Sequence, residues 1–300
     1  METSAPAPTP PQHPIDNLFD FAWIPSRPTD AIPGKGFESR LRDLAQRAQA
    51  ETWETDPAQP FGVLHNYFRY TFRRLAQEGK IVEAQDAKGI KVAAFNTGLF
   101  TDNYEAIFAF FEANRDPNRQ PWVFKDFIVE SDKRVAMFVT KPKAARYFDT
   151  PGDLIYDPDL DVIPNLDHIL DDNVERYPPD LRDNSHRRRM ILQGAVAEAG
   201  KRAQMNYKVA IPQFYFGFEA AELGRIQLLL PLCFADPTRA DLALVVEREV
   251  KAYRAFTVLP LDLAYKNARL IARPESEWLP KPHGAAAPST QPLSQAAPAQ

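Results

Sequence analysis

Asn96, Thr97 and Gly98 break the strand-like stretch KVAAFNTGLF, which runs from Lys91 to Phe100. Val92 to Phe95 are apolar. The tripeptide then supplies two short polar side chains and a residue free to take positive φ. A buried strand opening into such a break can present backbone N–H groups and side-chain donors to an anion or a nucleotide. The same three residues also suit a plain strand-end turn.

Three other constellations carry chemistry. His186, Arg187, Arg188 and Arg189 crowd the first turn of an expected helix, where positive charge opposes the macrodipole. An anion would relieve that. Asp180 and Asp183 are near enough in sequence, and RNA phosphate is the alternative, since arginine offers forked donors. In LDLAYKNARLI, Asp262 can cap a helix, with Tyr265 and Arg269 one turn apart and Asn267 between them. That pattern fits a polar ridge Asp262–Tyr265–Arg269 or an ordinary capped amphipathic helix. His168, beside Asp167 and close to Asn173 and Arg176, titrates near neutrality and suits acid–base work. Asp171 and Asp172 make a surface ion pair the competing use.

Asp153, Asp157, Asp159 and Asp161 alternate in the manner of a divalent-ion loop. The spacing and terminal Glu of an EF-hand are missing, so no metal ligands are assigned and no cofactor is established. Tyr67-Phe68-Arg69-Tyr70 with Arg73 and Arg74, and Phe214-Tyr215-Phe216, interleave rings with basic groups, as base-stacking surfaces do and as cores also do. On a strand, Phe214 and Phe216 share one face and Tyr215 takes the other. No GxSxG, Walker or GxGxxG motif occurs.

Positioning these groups falls to elements that the apolar spacing predicts. Helices are expected over Phe37–Trp53, Phe61–Glu78 (stopped at Gly79), Tyr104–Asn114 (capped by Asn103), His186–Met205 and Asp262–Ala272. Strands are expected over Lys80–Ala84 and Lys91–Phe95 as a hairpin, then Trp122–Val129, Val135–Thr140, Lys208–Phe218, Arg225–Phe234, Leu242–Glu249 and Ala252–Leu259. Helix plus ribbon near residue 80 has the look of a winged-helix end. Residues 141 to 184 show no clear period, and no internal repeat is evident. The class is α+β: N-terminal helices with a small β-ribbon, then a mostly antiparallel C-terminal sheet closed by a helix. One domain is expected over 15–279, between Pro/Ala-rich disordered tails at 1–14 and 280–300.

The bulk numbers narrow the partners. A net charge of −4 rules out global attraction to nucleic acid and requires a local basic face. The single cysteine, Cys233, cannot close an intramolecular disulfide, which fits a reducing cytoplasm. No stretch approaches a membrane span or a secretory leader.

Four longer stretches, HNYFRYTFRRLAQEGKI, AAFNTGL, FEANRDPNRQPWVFKDF and YRAFTVLPLDLAYKNARLIARPESEWL, resemble the domain of unknown function 3825 family from about Leu44 to Leu279. Members sit in places beside cold-shock and similar RNA-binding domains, so the resemblance implies work on RNA. It implies no reaction. The leading expectation is an RNA- or nucleotide-binding domain whose ligand contacts come from Asn96, Thr97, Gly98, Arg176, Arg188, Lys208, Tyr265, Asn267 and Arg269. A metal-assisted phosphoesterase or nucleotidyl enzyme, with Asp153 to Asp161 or His168 as metal or acid–base groups and Asp262 as a further catalytic candidate, is the second reading. A ligand-free interaction module is the third.

Overall fold

Apolar runs without alternation mark strands that are covered on both faces. The chain has such runs in KVAAF, AIFAFF, LLLPL and LALVV, and each becomes a central strand. The computed structural model describes residues 15–25, 36–54, 59–172, 174–217 and 224–274. The expected tails, Asn173 and the strand end at Phe218 lie outside the described residues.

The first half runs α1 (Leu18–Phe21), β1 (Ala22–Trp23), α2 (Gly36–Arg47), α3 (Gly62–Gln77), β2 (Val82–Gln85), β3 (Lys91–Phe100), β4 (Ala106–Ala113) and β5 (Trp122–Val129). The second runs β6 (Asp161–Pro164), α4 (Leu166–Asp171), α5 (Pro179–Arg182), α6 (Ser185–Met205), β7 (Ile211–Tyr215), β8 (Arg225–Leu232), β9 (Leu242–Arg248), β10 (Ala252–Leu259) and α7 (Leu261–Ala268). One sheet has the order β1-β5-β4-β3-β2, the other β6-β10-β9-β8-β7. Each is a four-stranded antiparallel meander whose last strand gains a parallel neighbour at the edge, β1 on β5 and β6 on β10. The same topology thus occurs twice, although no sequence repeat announces it.

The two sheets enclose a helical layer. Inward residues of the first sheet (Phe95, Ile107, Phe111) and of the second (Leu229, Ala243, Val245) share one core with Phe68, Phe72 and Leu75 of α3 and Ala264 and Ala268 of α7. The outer face of the second sheet, with Leu230, Leu244 and Val246, packs on Leu192, Val196 and Ala199 of α6. The outer face of the first sheet has a thinner cover, Phe138 and the 3-10 turn Lys133–Met137 over Phe108 and Phe110.

The α+β class holds, with differences in detail. The ribbon at residue 80 is no winged-helix end. It is the start of a five-stranded sheet. Tyr104–Asn114 is not a helix, because Ala106–Ala113 pairs with strands on both sides. An apolar run buried on two faces has no period to separate helix from strand, and Tyr104, at φ 61, belongs to the hairpin turn. Val135–Thr140 is not a strand: Asp132 accepts a hydrogen bond from Arg134 N and starts a 3-10 turn. Gly79 stops α3 at φ 62 as expected.

Candidate functional site

The polar break in β3 is a bulge. Pairing with β4 runs in step to Asn96↔Phe108 and resumes only at Phe100↔Ala106. The extra residues are satisfied locally: Asn96 Oδ1 accepts from Gly98 N at 2.8 Å, and Thr97 Oγ1 donates to Ile107 O at 2.7 Å. Gly98 sits at φ 75 directly under Tyr67, whose hydroxyl donates to Thr97 O at 3.0 Å. The tripeptide therefore turns its polar atoms inward, and Asn96 and Thr97 are buried.

Arg269 reaches the same place from α7. Its guanidinium lies 4.6 Å from the Tyr67 ring centroid and 4.9 Å from that of Trp53. It grips Glu51 with two prongs, Nε to Oε1 at 2.6 Å and a terminal nitrogen to Oε2 at 2.8 Å. Burial pulls the Arg269 pKa down most strongly, but the hydrogen bonds it donates to Glu51, together with the charge interactions with Tyr67, Glu51 and Tyr265, leave the group above its ordinary value. Burial also pushes the Tyr67 hydroxyl up, so it stays protonated and able to donate. Thr97, Gly98 and Arg269 are thus gathered around Tyr67, in a filled centre, whereas Asn96 Nδ2 donates to Pro142 O at 3.2 Å.

The other sequence-derived candidates lie elsewhere. Arg188 is buried and donates to Leu181 O and Arg182 O, with its charge over the Tyr177 ring. Arg176 donates to Val258 O at 2.7 Å. His168 Nδ1 sits 2.7 Å from Asp172 on an exposed turn. Asp262 faces Lys266 at 3.6 Å, and Pro260 takes the capping position, so the ridge Asp262–Tyr265–Arg269 is not formed. Tyr265 is buried. Lys208 lines a largely apolar hollow of about 410 Å³ with Ile211, Ala268 and Ile271. Asp157 is taken by Arg248 and Asp161 by Gln204. Among the described residues no three His, Cys, Asp or Glu side chains are grouped so as to hold a metal ion.

The larger hollow, about 640 Å³, opens between the halves. Its walls are the end of α3 (Arg74, Gln77, Glu78), the connection from β5 to β6 (Tyr147, Phe148, Asp149, Asp153) and the end of the second sheet (Phe214, Gly224, Arg225, Ile226, Glu247, Arg248). Tyr147 anchors the connection. Its hydroxyl meets Thr71 of α3 at 3.3 Å, and its ring packs edge-on against Phe214 at 4.9 Å. Burial pushes its pKa up. Arg74 lies 5.1 Å over the Phe214 ring and donates to Glu78 and to Arg146 O. Gly224, at φ 77, leaves no room for a side chain against Phe214.

A buried polar row links this cleft to α7. Asn267 donates to Gln213, Gln213 to Gln227, and Gln227 to Glu247 on the cleft wall. Gln213 and Gln227 are cross-strand partners on the inner face. Of this row only Asn267 stood out in the sequence. The signal for the glutamines was there: each is a single amide inside an otherwise apolar strand, IPQFY and RIQLLLPL. Such an amide must find a partner when buried. Glu51 was likewise passed over, beside Trp53 in a stretch assigned to a helix that in fact ends at Arg47.

Fold and cleft together define an α+β domain of two sheets about a shared helical layer, with a polar hollow between its halves. The chain belongs to the family described as Domain of unknown function (DUF3825), whose model matches residues 44–278. No curated protein and no solved structure matches it. No helix among the described residues is long and apolar enough to cross a membrane.

Proposed function

We propose that the cleft between the two halves binds a nucleotide or a short single-stranded piece of RNA. The observation that carries the reading is the combination of Arg74, Arg225 and Arg248 with Tyr147, Phe148 and Phe214 in one hollow of about 640 Å³. Arginines suit phosphate oxygens, and rings suit the faces of bases. The volume falls within the several hundred Å³ typical of small-molecule sites. Tyr67 and Arg269, beside which Thr97 and Gly98 lie, serve this reading as the support that fixes α3 against α7.

Glu78, Asp149, Asp153 and Glu247 share the lining, so the reading rests on individual arginine contacts and not on a net basic face. Phosphate contact by a few arginines makes binding salt-dependent, with affinity falling as counterions compete. Titration of a fluorescent single-stranded RNA hexamer into the protein at low and at moderate salt tests this. Binding at low salt that weakens at the higher salt supports the reading. No binding at low salt, or binding indifferent to salt, removes it.

A further inference from the structure

The buried row of amides ends on a carboxylate, and the manner of its ending fixes what that carboxylate can still do. Gln227 Nε2 donates to Glu247 Oε2 at 3.1 Å, and Arg225 Nε donates to the same oxygen at 2.8 Å. The other oxygen, Oε1, accepts a hydrogen bond from no described residue, and Glu247 lines the cleft. An ionised carboxylate accepts and does not donate. This one is also aimed from behind. Because Glu247 can only accept, Gln227 must turn its NH₂ toward it. Its carbonyl then faces the NH₂ of Gln213, whose carbonyl takes the NH₂ of Asn267. A chain of fixed polarity holds one open negative acceptor on the wall of the cleft.

We infer that Glu247 is the specificity-determining residue of the cleft and selects ligands whose base carries an exocyclic amino group. The inference rests on the nucleotide reading above and names its ligand class. An amino group projects beyond the ring and donates to Oε1. A carbonyl oxygen at that position meets an anion and is repelled. The ring N–H of uracil is flanked by two carbonyls and that of hypoxanthine by one, so each brings a repelled oxygen beside its donor and is a poorer match.

One substitution converts the acceptor into a donor without changing its shape. In Glu247→Gln, Arg225 and Gln227 still require an acceptor where Oε2 stood, so the new carbonyl takes that place. The new NH₂ is then left at the Oε1 position, where it favours a carbonyl. Two ligand pairs differ by this exchange, CMP with UMP and AMP with IMP. Binding of all four to the wild-type protein and to Glu247→Gln, followed by calorimetry, is the test. The expected result is about a tenfold preference for the amino member in the wild type, the size of a hydrogen bond gained or left unmade. Glu247→Gln erases or reverses it. Equal affinities within each pair in the wild type overturn the inference, as does a preference that survives Glu247→Gln. A protein that binds none of the four overturns the nucleotide reading and this inference with it. Gln227→Met, which loosens the carboxylate from behind, is expected to shrink the discrimination while leaving the salt dependence unchanged. A loss of both, or of neither, argues against a positioning role.

Discussion

Arg269 and Glu51 stand 218 positions apart in sequence, yet they meet in a two-pronged ion pair whose side chains are almost wholly buried. The pair joins the last helix to the segment before α3. It lies under two aromatic rings, where a charge without its partner is costly. Breaking such a pair from one side leaves that charge uncompensated, whereas replacing both members can be nearly neutral.

Glu51→Gln and Arg269→Met are therefore each expected to lower stability by about 3–5 kcal/mol. The double variant Glu51→Leu with Arg269→Met loses less than the sum of the two single changes. Urea denaturation of all variants measures both quantities. Simple additivity would mean that the pair is not energetically coupled.

Gly98 faces Tyr67 with φ at 75 and no space for a methyl group. Gly98→Ala is expected to cost about 2–4 kcal/mol, from backbone strain together with the clash. In the Tyr67→Phe background the hydroxyl is gone and only the strain remains. The Ala substitution should then cost less, and thermal denaturation of the four proteins closes the cycle.

His65, on α3, packs against the Phe37 ring at 5.0 Å. Burial, then the charge of Arg69, hold its pKa below the ordinary 6.5. The folded state thus prefers neutral His65, and the unfolded state takes up a proton first as pH falls. Its contribution to stability is complete above pH 6.5 and is lost as pH drops from there through the lower folded value. Denaturation midpoints at about pH 7.5 and about pH 5.5 should differ in that sense. His65→Gln should shrink the difference.

If the cleft binds phosphate, Arg225→Gln and Arg248→Gln each weaken RNA binding. Each also lowers the slope of log affinity against log salt by about one. Both side chains are half exposed, so folding should be unaffected. An unchanged slope in both variants would place the phosphate elsewhere.

Much of this architecture was readable from side-chain order. The stop at Gly79 and the strand Ala252–Leu259 follow from local rules, because their causes are local, whereas the strand expected to end at Phe95 continues through a bulge at Asn96–Gly98 to Phe100. β4 was misread for a tertiary reason: cover from both α3 and the turn at 133–137 removes the alternation that identifies a strand. The candidate site was legible only in pieces. Arg269 and Asn267 stood out, but their partners Glu51 and Gln213 are joined to them by packing rather than by spacing. Arg188, at the start of a basic helix, is instead buried and turned back on the carbonyls of Leu181 and Arg182.

The placement of α7 has a consequence for how the chain is made. The middle slab cannot be finished until α7 leaves the ribosome, so the face of α3 turned away from the first sheet waits, uncovered, through the synthesis of most of the second half. A premature stop anywhere before residue 269 would leave Glu51 without its counter-charge and a broad aromatic surface without a lid. Such a product is a client for chaperones and proteases rather than a working fragment.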